Sequence, residues 1–392
     1  MTKILGINLS DLSKPKLLDR LDFFLNDSSS HFLVTPNPEI ILQAQHNEEY
    51  FYILNSADIA IADGFGLILA GLIQGHKIPR ITGSDLTPVL LERAAKNKIK
   101  TLIINWQGGL SQESDIKKIL DNRWPELDYK ILDTDKKDHL TSEETAIIND
   151  FAPKLIFVTL GAPLQERLIW NELKNWPSAR LALAVGGSFD FLTKKIKRAP
   201  KIMRVLGLEW LWRLLLQPKR LKRIWRATAV FGWKVVKTTF ILPFFYRPNV
   251  AIMLYKKTAE GARILVVARQ EDHNHWQLPQ GGTDGETIAV AGARELREES
   301  GTDKFIPIKS FTDIYRYKFS KARDNLRHTG YKGQKQGLFI AEFTGNDSDI
   351  KINYWDHAAW QWISTDKLLE TIHPCRREGT TIFLKKFLET VK

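Results

Sequence analysis

The stretch "KLIFVTLGAPLQE" (residues 154–166) joins a run of apolar and β-branched residues to a cluster of glycine, proline and polar residues. Such a continuous apolar run is typical of a strand buried on both faces of a sheet. Amphipathic segments such as "DLTPVLLERAAKN" (85–97) alternate with further runs of this kind. Those runs are "HFLVT" (31–35), "ADIAIAD" (57–63), "KTLIIN" (100–105) and "ARLALAVGG" (179–187). The alternation predicts an α/β domain over residues 1–195, with a mainly parallel, Rossmann-like sheet between layers of helices.

The chain has 392 residues, which exceeds the usual size of one domain and predicts two or three of them. Its single cysteine, Cys375, excludes an intramolecular disulfide and a zinc site built on cysteines, and it fits a reducing compartment. The first residues contain no long apolar segment ahead of their charges. We therefore expect no secretory signal and a cytoplasmic location.

The positive charge of the chain is concentrated in one segment. Residues 194–247 contain 15 Lys or Arg and one acidic residue, Glu209, so this segment carries +14 while the remainder carries −2. Four tryptophans lie among these cations, and Lys234, Lys237 and Pro243 interrupt the most apolar run. This pattern favours helices that lie on an anionic membrane surface over a membrane-spanning helix. A solvated helix face or a nucleic-acid groove would use the same residue types. We predict a helical appendage over residues 196–245.

The last part of the chain, residues 246–392, is richer in strands. Apolar runs surround a helical segment, and the chain ends in the amphipathic stretch "TTIFLKKFLETVK" (380–392). These runs are "NVAIMLY" (249–255), "ARILVVAR" (262–269), "GLFIAEF" (337–343) and "AAWQWIS" (358–364). We predict a compact α+β domain here.

Polar and glycine-rich clusters follow the predicted strands of the first domain. In a parallel sheet the carboxyl ends of the strands meet at one edge, where ligands bind. Transfer of a sugar from a nucleotide diphosphate needs a carboxylate base and groups that stabilise the leaving diphosphate. Asp63 is placed to be the base. Arg80 could form bidentate hydrogen bonds to a phosphate. Neutral polar contacts would come from Thr35, Asn37 and Gln165. Each cluster also fits a plain turn or helix cap, because Gly, Pro, Asn and Asp dominate turns.

Seven blocks follow one another in this half: "TPNPEI", "ADGFG", "RITGSDL", "GAPLQE", "GGSFDFL", "KRAP" and "LGLEWLWRLLLQPKRLKR". In this order they are similar, over residues 1 to 235, to the bacterial WecG/TagA/CpsF glycosyltransferases of glycosyltransferase family 26. The resemblance implies transfer, with inversion and without a metal or other cofactor, of N-acetylmannosamine or a related sugar from a UDP donor. The implied acceptor is N-acetylglucosaminyl-diphosphoundecaprenol, so the protein would associate peripherally with the inner face of the plasma membrane.

The same resemblance assigns roles to particular residues. Asp63 would be the base, and appendage arginines would close over the site and recognise the lipid diphosphate. The implied substrate-binding residues are Thr35, Asn37, Arg80, Gln165, Asp190, Arg213, Arg220 and Arg223. The segment "DTD" (133–135) is similar to the carboxylate pair of metal-dependent glycosyltransferases, but it coincides with none of the seven blocks and is interpreted as a solvated turn.

The stretch "LPQGGTDGETIAVAGARELREESGT" (278–302) carries a second kind of chemistry. Glu295, Glu298 and Glu299 are three and four residues apart, so they share one helix face. Such a cluster repels itself unless a cation neutralises it, and oxygen ligands suit Mg²⁺ or Mn²⁺. With Arg294 orienting a glutamate, the group would hydrolyse a phosphoanhydride through a metal-activated water. An acidic surface helix balanced by Arg294 and Arg297 is the alternative.

This stretch resembles the Nudix box, in which a glycine turn and a glutamate precede a helix with Arg-Glu and Glu-Glu pairs. Glu286, Arg294, Glu295, Glu298, Glu299 and Gly301 match it with the spacing of the box. One position departs, since Gln280 stands where the box has a glycine, and the loop from Gly281 is one residue short. The resemblance implies catalytic roles for Arg294, Glu295 and Glu298, and metal ligation by Glu295, Glu298, Glu299 and, just before the last strand, Asp356.

The segments that flank the box narrow the resemblance. These segments are "YRPNV" (246–250), "WQLPQGG" (276–282), "YRYK" (315–318) and "GQKQGLFIAEF" (333–343). They are similar to the branch of Nudix hydrolases that contains the bacterial RNA pyrophosphohydrolases and dinucleoside polyphosphate hydrolases. The resemblance implies that Arg247 contacts the substrate. The implied substrate is a 5′-triphosphorylated RNA end or a dinucleoside polyphosphate. Two alternatives stay open: a nucleotide-binding regulator of the transferase, or a hydrolase of UDP or the UDP-sugar. A homo-oligomer is a further expectation.

Overall fold

The structure is a computed structural model of the chain, and it describes residues 1–200, 202–203, 207–216, 218, 221–319 and 330–391. Arg220 and the side chain of Arg213, both predicted to contact the lipid diphosphate, lie outside this description. Within it the chain forms two compact units, Met1–Thr239 and Phe240–Lys392. The finer division into parts that end at residues 195 and 245 stays a prediction.

The first unit is built around a parallel sheet in the strand order β4-β3-β8-β7-β5-β6. At mid-height Leu33, Leu183, Phe157 and Ile103 face one another across neighbouring strands, and all four are buried. This confirms the mainly parallel sheet that the apolar runs predict. The strands of the unit, including a separate amino-terminal hairpin of β1 and β2, are β1 (Thr2–Ile4), β2 (Ile7–Leu9), β3 (His31–Val34), β4 (Ile59–Ala60), β5 (Thr101–Trp106), β6 (Tyr129–Thr134), β7 (Leu155–Val158) and β8 (Leu181–Ala184).

Helices cover both faces of this sheet. Leu21 of α1, Leu90 of α5 and Leu120 of α6 pack with the strands in one buried core, while α3 and α8 pack against each other and α8 contacts β8. The helices are α1 (Lys14–Asn26), α2 (Pro38–Ala44), α3 (Glu48–Ser56), α4 (Phe65–Ile73), α5 (Gly83–Lys96), α6 (Glu113–Arg123), α7 (Ser142–Phe151), α8 (Leu164–Glu172) and α9 (Ser188–Leu192), with a 3₁₀ turn at Leu173–Asn175.

The segment "DTD" does not form the predicted turn. Asp133 and Thr134 are the last residues of β6. Asp133 Oδ1 accepts a hydrogen bond of 2.8 Å from Asn105 Nδ2. Thr134 is buried, and its hydroxyl donates to Glu144 Oε1 at 2.7 Å. The prediction is wrong for these two residues, because the sheet and α7 satisfy their polar atoms.

The basic segment forms helices, and the stretch over residues 226–236 packs against α2 and α4. Phe231 and Val235 are buried, and Gly207 lies so close to the ring of Phe65 that an added Cβ would come within 2.3 Å of it. Among the described residues, no helix combines the length and apolar character needed to cross a bilayer. The helical stretches are α10 (Glu209–Leu216), α11 (Leu221–Trp225), a π-helical turn (Arg226–Val230), α12 (Phe231–Val236) and a second π-helical turn (Lys237–Ile241).

The second unit has a mixed sheet. Its central order is β11-β10-β9-β14-β13, with β12 paired to β9 and β15 paired to β10. The β9 and β14 pair is parallel, and the other pairs are antiparallel. The strands are β9 (Tyr246–Thr258), β10 (Gly261–Arg269), β11 (Asp272–Gln277), β12 (Gln280–Gly282), β13 (Phe305–Lys318), β14 (Gly333–Phe343) and β15 (His357–Ser364).

Helices lie on the two faces of this second sheet, each over its own core. Leu296 packs with Phe339 on one side, and Phe387 packs with Tyr255 on the other. The helices are α13 (Ile288–Ser300), α14 (Leu368–Thr371) and α15 (Arg377–Thr390), with 3₁₀ turns at Leu242–Phe244, Asp347–Asp349 and Pro374–Arg376. The mixed α and β character of this unit agrees with the prediction.

Candidate active sites

The carboxyl ends of the parallel strands in the first unit meet at one cavity. Thr35 follows β3, Asp63 lies beyond β4, Thr159 follows β7 and Gly186 lies beyond β8, and all four line a cavity of about 450 Å³. A volume of this order is typical of sites for small ligands. The strand-end clusters that the sequence singles out therefore do converge.

Asp63 is held in a defined orientation at this cavity. Its backbone N–H donates to the carbonyl of Pro36 at 2.9 Å, and its Oδ2 accepts a hydrogen bond of 3.2 Å from the N–H of Gly83. Gly83 is the first residue of α5, and the amino end of a helix favours a neighbouring negative charge. Gly64, with φ of 123°, continues the turn in a conformation that glycine adopts readily. The carboxylate is thus fixed while it lines the cavity.

The neutral candidates of the cavity also support the scaffold. Asn37 Oδ1 accepts from the N–H groups of Glu39 and Ile40 at 2.9 and 3.0 Å, so Asn37 caps α2. The Thr35 hydroxyl donates to the Ala184 carbonyl at 3.0 Å. Asn37 and Thr35 therefore stabilise the backbone at the strand ends, as the turn-and-cap interpretation predicts, and both also line the cavity.

Gln165 ties together two loops of the cavity wall. Its Oε1 accepts from the N–H groups of Gly161 and Gly186 at 3.2 and 2.9 Å, and its Nε2 donates to Glu166 Oε1 at 2.8 Å. Both ends of the amide are therefore engaged by the protein. Burial raises the pKa of Glu166 to about 7, since this carboxyl is shielded from solvent.

The predicted residue Asp190 lines the cavity together with Ser111 and Asn105, which the sequence patterns do not single out. Asp190 Oδ1 accepts a hydrogen bond from Ser111 Oγ at 2.8 Å, and Thr193 Oγ1 lies 2.8 Å from Ser111 Oγ. Asn105, at the end of a run that looks purely like a strand, contacts Asp133 and accepts from Thr159 Oγ1 at 3.0 Å. Such buried networks fix the walls of a site.

A second, mainly apolar groove of about 460 Å³ lies beside the cavity. The two share Asn37, Glu39, Asp63 and Arg223 among their lining residues. The remaining walls of the groove include the apolar residues Phe65, Leu69, Ile73, Trp210, Ile224 and Phe231. Asp63 therefore stands where a polar space and an apolar space meet.

Ion pairs attach the appendage beside the groove. Arg80 pairs with Glu209 and Arg223 pairs with Glu39. Arg80 is among the lining residues of the groove, whereas the polar cavity is lined without it. The charges of these two candidate arginines thus help to position the appendage. Arg198 also does so, through bonds of 2.7 Å to Asp85 and 3.0 Å to Ser84.

Arg294 is the centre of the candidate site in the second unit. Its Nε donates to Glu286 at 2.9 Å and its Nη2 donates to the Gly282 carbonyl at 2.8 Å. Its Nη1 donates to Glu295 at 2.8 Å and to Glu298 at 3.1 Å, and so lies between these two carboxylates. One planar guanidinium thereby connects the glycine turn to the carboxylate helix α13.

Two carboxylates of α13 are buried close together. Burial, reinforced by the charge of Glu299, raises the pKa of Glu295 to about 8. Burial also raises the pKa of Glu299, and its interaction with His357 opposes this rise. The N–H of Gln280, at the position that departs from the Nudix box, donates to Glu299 Oε2 at 3.0 Å. Gly281 leaves room for the cluster, since an added Cβ would come within 1.8 Å of the Glu295 carboxyl carbon.

The remaining candidates surround this cluster. Asp356 is near enough for its charge to raise the pKa of Glu299. His357 is buried, with Nε2 at 3.4 Å from Glu299 Oε2, and no spacing rule points to it in the sequence. The Arg247 guanidinium lies against Gly282. Two buried glutamates with further carboxylates beside them offer oxygen donors, which fit a divalent cation such as Mg²⁺ or Mn²⁺. The predicted ligands are Glu295, Glu298, Glu299 and Asp356.

Two family models match the chain. The model of the glycosyl transferase WecG/TagA/CpsF family matches residues 2–242, which is more than half of the chain, and the NUDIX domain model matches residues 245–381. Two relatives from Staphylococcus aureus, strains MRSA252 and NCTC 8325 / PS 47, are each 28% identical in sequence to this chain over 240 residues. The matched region covers 60% of this chain and 91% of each relative. Both are named N-acetylglucosaminyldiphosphoundecaprenol N-acetyl-beta-D-mannosaminyltransferase.

Solved structures also resemble part of the chain. A C. elegans Ap4A hydrolase in a binary complex is 18% identical, with 36% of this chain and 98% of that chain covered and a TM-score of 0.28. The E. coli dihydroneopterin triphosphate pyrophosphohydrolase is 18% identical, with 36% and 99% covered and a TM-score of 0.30. The family matches support an enzyme with a transferase part and a hydrolase part. The chain belongs to the WecG/TagA/CpsF family of glycosyltransferases, and a NUDIX domain follows its transferase part.

Proposed function

We propose that the first unit transfers N-acetylmannosamine, or a related sugar, from a UDP donor to N-acetylglucosaminyl-diphosphoundecaprenol. The observation that carries this proposal is the position of Asp63 at the junction of a polar cavity and an apolar groove. A transferase of this kind must bring a charged, water-soluble donor and a lipid-borne acceptor to the same base. The name of the S. aureus relatives states the same donor sugar and acceptor.

The proposed mechanism needs few groups. Asp63 accepts the proton of the acceptor hydroxyl as that oxygen attacks the sugar carbon and the nucleoside diphosphate leaves from the opposite face. Lys136, Lys197 and Arg223 line the polar cavity and stabilise the charge that develops on the diphosphate. Gln165 acts as a positioning residue, because it fixes the loops that carry Gly161 and Gly186.

The apolar groove and the appendage suit a lipid acceptor. Trp225, Trp233 and Leu221 expose 63%, 61% and 60% of their surface on helices that also carry Lys222 and Arg226. Exposed aromatic residues among cations are typical of helices that bind anionic membrane surfaces. We therefore propose peripheral association with the inner face of the plasma membrane, with the polyprenyl chain entering the groove beside Asp63.

Asp63→Asn tests this assignment, with Asp135→Asn as the matched control. Asp135 is an exposed carboxylate after β6, at the end of the "DTD" segment and outside the cavity lining. We expect Asp63→Asn to lower the rate of transfer to a lipid-diphosphate acceptor by at least about a hundredfold and Asp135→Asn to leave it unchanged. Transfer by Asp63→Asn at the wild-type rate would show that another group is the base.

For the second unit we propose metal-dependent hydrolysis of a phosphoanhydride. Glu295, Glu298, Glu299 and Asp356 would hold Mg²⁺ or Mn²⁺, which when bound activates a water and neutralises phosphate charge. Glu298 has a side chain that is 56% exposed, so it can accept a proton from a water at the cluster. Arg294 orients Glu295 and Glu298, and Arg247 would contact the substrate.

The proposed substrate is the triphosphate end of an RNA or a dinucleoside polyphosphate. Tyr315 and Tyr317 of β13 stack at 5.7 Å between ring centroids, and both line a small cavity together with Gln336 and Arg376. Stacked aromatic rings beside an arginine suit a nucleobase and its phosphates. This cavity holds about 20 Å³, so a nucleotide would have to widen it on binding.

Glu298→Gln tests hydrolysis, with Glu389→Gln as the control, because Glu389 is an exposed glutamate of α15. Both variants are assayed on triphosphorylated RNA, dinucleoside polyphosphates, UDP and a UDP-sugar. We expect Glu298→Gln to lose at least about a hundredfold in rate on one of these substrates. Equal rates for Glu298→Gln and wild type on every substrate would contradict catalysis. If wild type hydrolyses none of them and nucleotides change its transfer rate, the second unit is a regulator.

A further inference from the structure

His275, His373 and Cys375 form a cluster to which the proposed functions assign no role, although Cys375 also lines the small cavity beside Tyr315 and Tyr317. His275 lies in β11, while His373 and Cys375 lie in the turn that leads into α15. One nitrogen of each histidine and the sulfur of Cys375 all fall within 4.8 Å of one another. Cys375 and His275 are 100 residues apart in sequence, so no spacing rule reveals the cluster.

The separations within the cluster suit a shared metal ion. Cys375 Sγ lies 3.0 Å from His373 Nδ1 and 3.9 Å from His275 Nε2. In a tetrahedral zinc site, bonds of about 2.3 Å to sulfur and about 2.0 Å to nitrogen place these atoms roughly 3.5 Å apart. The two observed sulfur–nitrogen distances lie on either side of that value, so each has to change by about half an ångström.

The surrounding structure holds the ligands together before any metal arrives. The N–H of His373 donates to the Trp276 carbonyl at 3.0 Å, which ties the turn to the residue after His275. The two imidazole rings stack at 4.1 Å with an angle of 7°, so one ring has to rotate before a nitrogen of each can bind the same ion. His275 is buried, whereas His373 and Cys375 are partly exposed, so an ion can enter from the side of the turn.

We propose that His275, His373 and Cys375 bind a zinc ion, with water as the fourth ligand. Thiolate and imidazole are the ligands that zinc prefers, whereas Mg²⁺ prefers oxygen ligands, which this cluster lacks. The site is therefore chemically distinct from the carboxylates of α13. The single cysteine excludes a zinc site made of several cysteines. The proposed site needs only one, because His275 and His373 supply the other two protein ligands.

Binding exchanges bonds without any change of oxidation state. The Cys375 thiol releases its proton to solvent and the thiolate sulfur bonds to zinc. In the structure, His373 Nδ1 lies 3.0 Å from the Cys375 sulfur and accepts from the Cys375 backbone N–H at 3.3 Å. Zinc binding replaces both of these contacts with a bond from Nδ1 to the ion. The ion would then join β11 to the start of α15 and stabilise this end of the second unit.

The experiment uses the full-length chain, freed of metal by a chelator and returned to buffer with excess Mg²⁺, which would fill the proposed carboxylate site. Co²⁺ is added as a spectroscopic substitute for zinc, and the thiolate-to-cobalt charge-transfer absorption is followed. We expect one equivalent to produce this band and zinc to abolish it by displacement. Cys375→Ser should remove the band, and His373→Ala should weaken Co²⁺ binding at least about tenfold.

His273→Ala is the matched control, because His273 is an exposed histidine of the same strand, two residues from His275. We expect it to bind Co²⁺ as wild type does. Thermal unfolding of the metal-free proteins shows whether each variant is folded, and zinc should raise the midpoint of wild type and His273→Ala but not that of Cys375→Ser. Absence of the band in folded wild type, or an unchanged band in Cys375→Ser, would mean that the cluster is a hydrogen-bonded contact only.

Discussion

The two candidate active sites handle negative charge in opposite ways. The transferase site places the Asp63 carboxylate beside the amino end of α5, in a cavity that is also lined by cations. The hydrolase site buries Glu295 and Glu299, and burial raises the pKa of both, with the charge of Glu299 adding to the rise at Glu295 and that of Asp356 to the rise at Glu299. The mechanism proposed for the first arrangement uses protein groups alone. The second leaves its carboxylates in mutual repulsion, which a bound cation would relieve.

The contrast extends to the way each site is supported. In the first unit, neutral groups such as Gln165 and Asn37 fix loops by hydrogen bonds to backbone N–H groups. In the second, the charged fork of Arg294 holds the glutamates and the glycine turn together. Substitutions should therefore affect one chemistry at a time.

The largest expected effect is that of Gly281→Ala. Its new Cβ would lie within 1.8 Å of the Glu295 carboxyl carbon, so the carboxylate must move away from the cluster. We expect hydrolysis to fall by at least about a hundredfold, since displacements of about 1 Å can cost this much in rate. Transfer by the same protein should stay within about twofold of wild type. A hydrolysis rate near that of wild type would show that Glu295 does not need its present position.

Gln165→Ala should have a moderate effect on transfer alone. The substitution removes the acceptor for the N–H groups of Gly161 and Gly186 and loosens both loops. We expect kcat/KM for sugar transfer to fall about tenfold, because losing such contacts costs on the order of 1–3 kcal/mol. Gln45→Ala is the control, since Gln45 donates to the Leu5 carbonyl outside the cavity lining. Equal transfer rates for the two variants would contradict the positioning role of Gln165.

The smallest effect concerns stability and pH. The pKa of buried Glu166 is raised from the ordinary value of 4.5 to about 7. For a carboxyl whose folded pKa is raised, the stabilising contribution is complete below pH 4.5 and is lost as pH rises through 7. Its loss amounts to about 3 kcal/mol. Glu166→Gln should therefore raise the unfolding midpoint of the first unit at pH 8 by several degrees and flatten its dependence on pH.

Calorimetry between pH 5 and pH 8 measures this effect. Glu143→Gln, at an exposed glutamate of α7, serves as the control and should follow the wild-type curve. If Glu166→Gln also follows that curve, the buried carboxyl does not change its protonation over this range.

Much of both folds follows from the apolar pattern, and the exceptions share a cause. The buried strands β5, β7 and β8 have continuous apolar runs, so they are evident in the sequence. β6 and β13 lie at sheet edges and are partly exposed, and charged residues interrupt their apolar residues. Their sequences therefore resemble those of loops. A strand that buries one face or neither leaves too weak an apolar signal to distinguish it from a turn.

The sequence indicates candidate site residues where they are neighbours along the chain or directly follow a predicted strand. It does not indicate residues that only the tertiary fold brings to a site. The spacing of Glu295, Glu298 and Glu299 is enough to place them on one face of α13. His357 approaches Glu299 only through the packing of β15, so its sequence position carries no signal. Sequence also cannot show that both ends of the Gln165 amide are engaged by the protein, since that depends on two loops brought together by the sheet.

The most direct test of two chemically independent sites is to assay both activities of one preparation before and after chelation of divalent cations. We predict that hydrolysis falls at least about a hundredfold and returns when Mg²⁺ or Mn²⁺ is restored, while sugar transfer stays within about twofold of its starting rate. Loss of both activities together, or hydrolysis that survives chelation, would contradict the account.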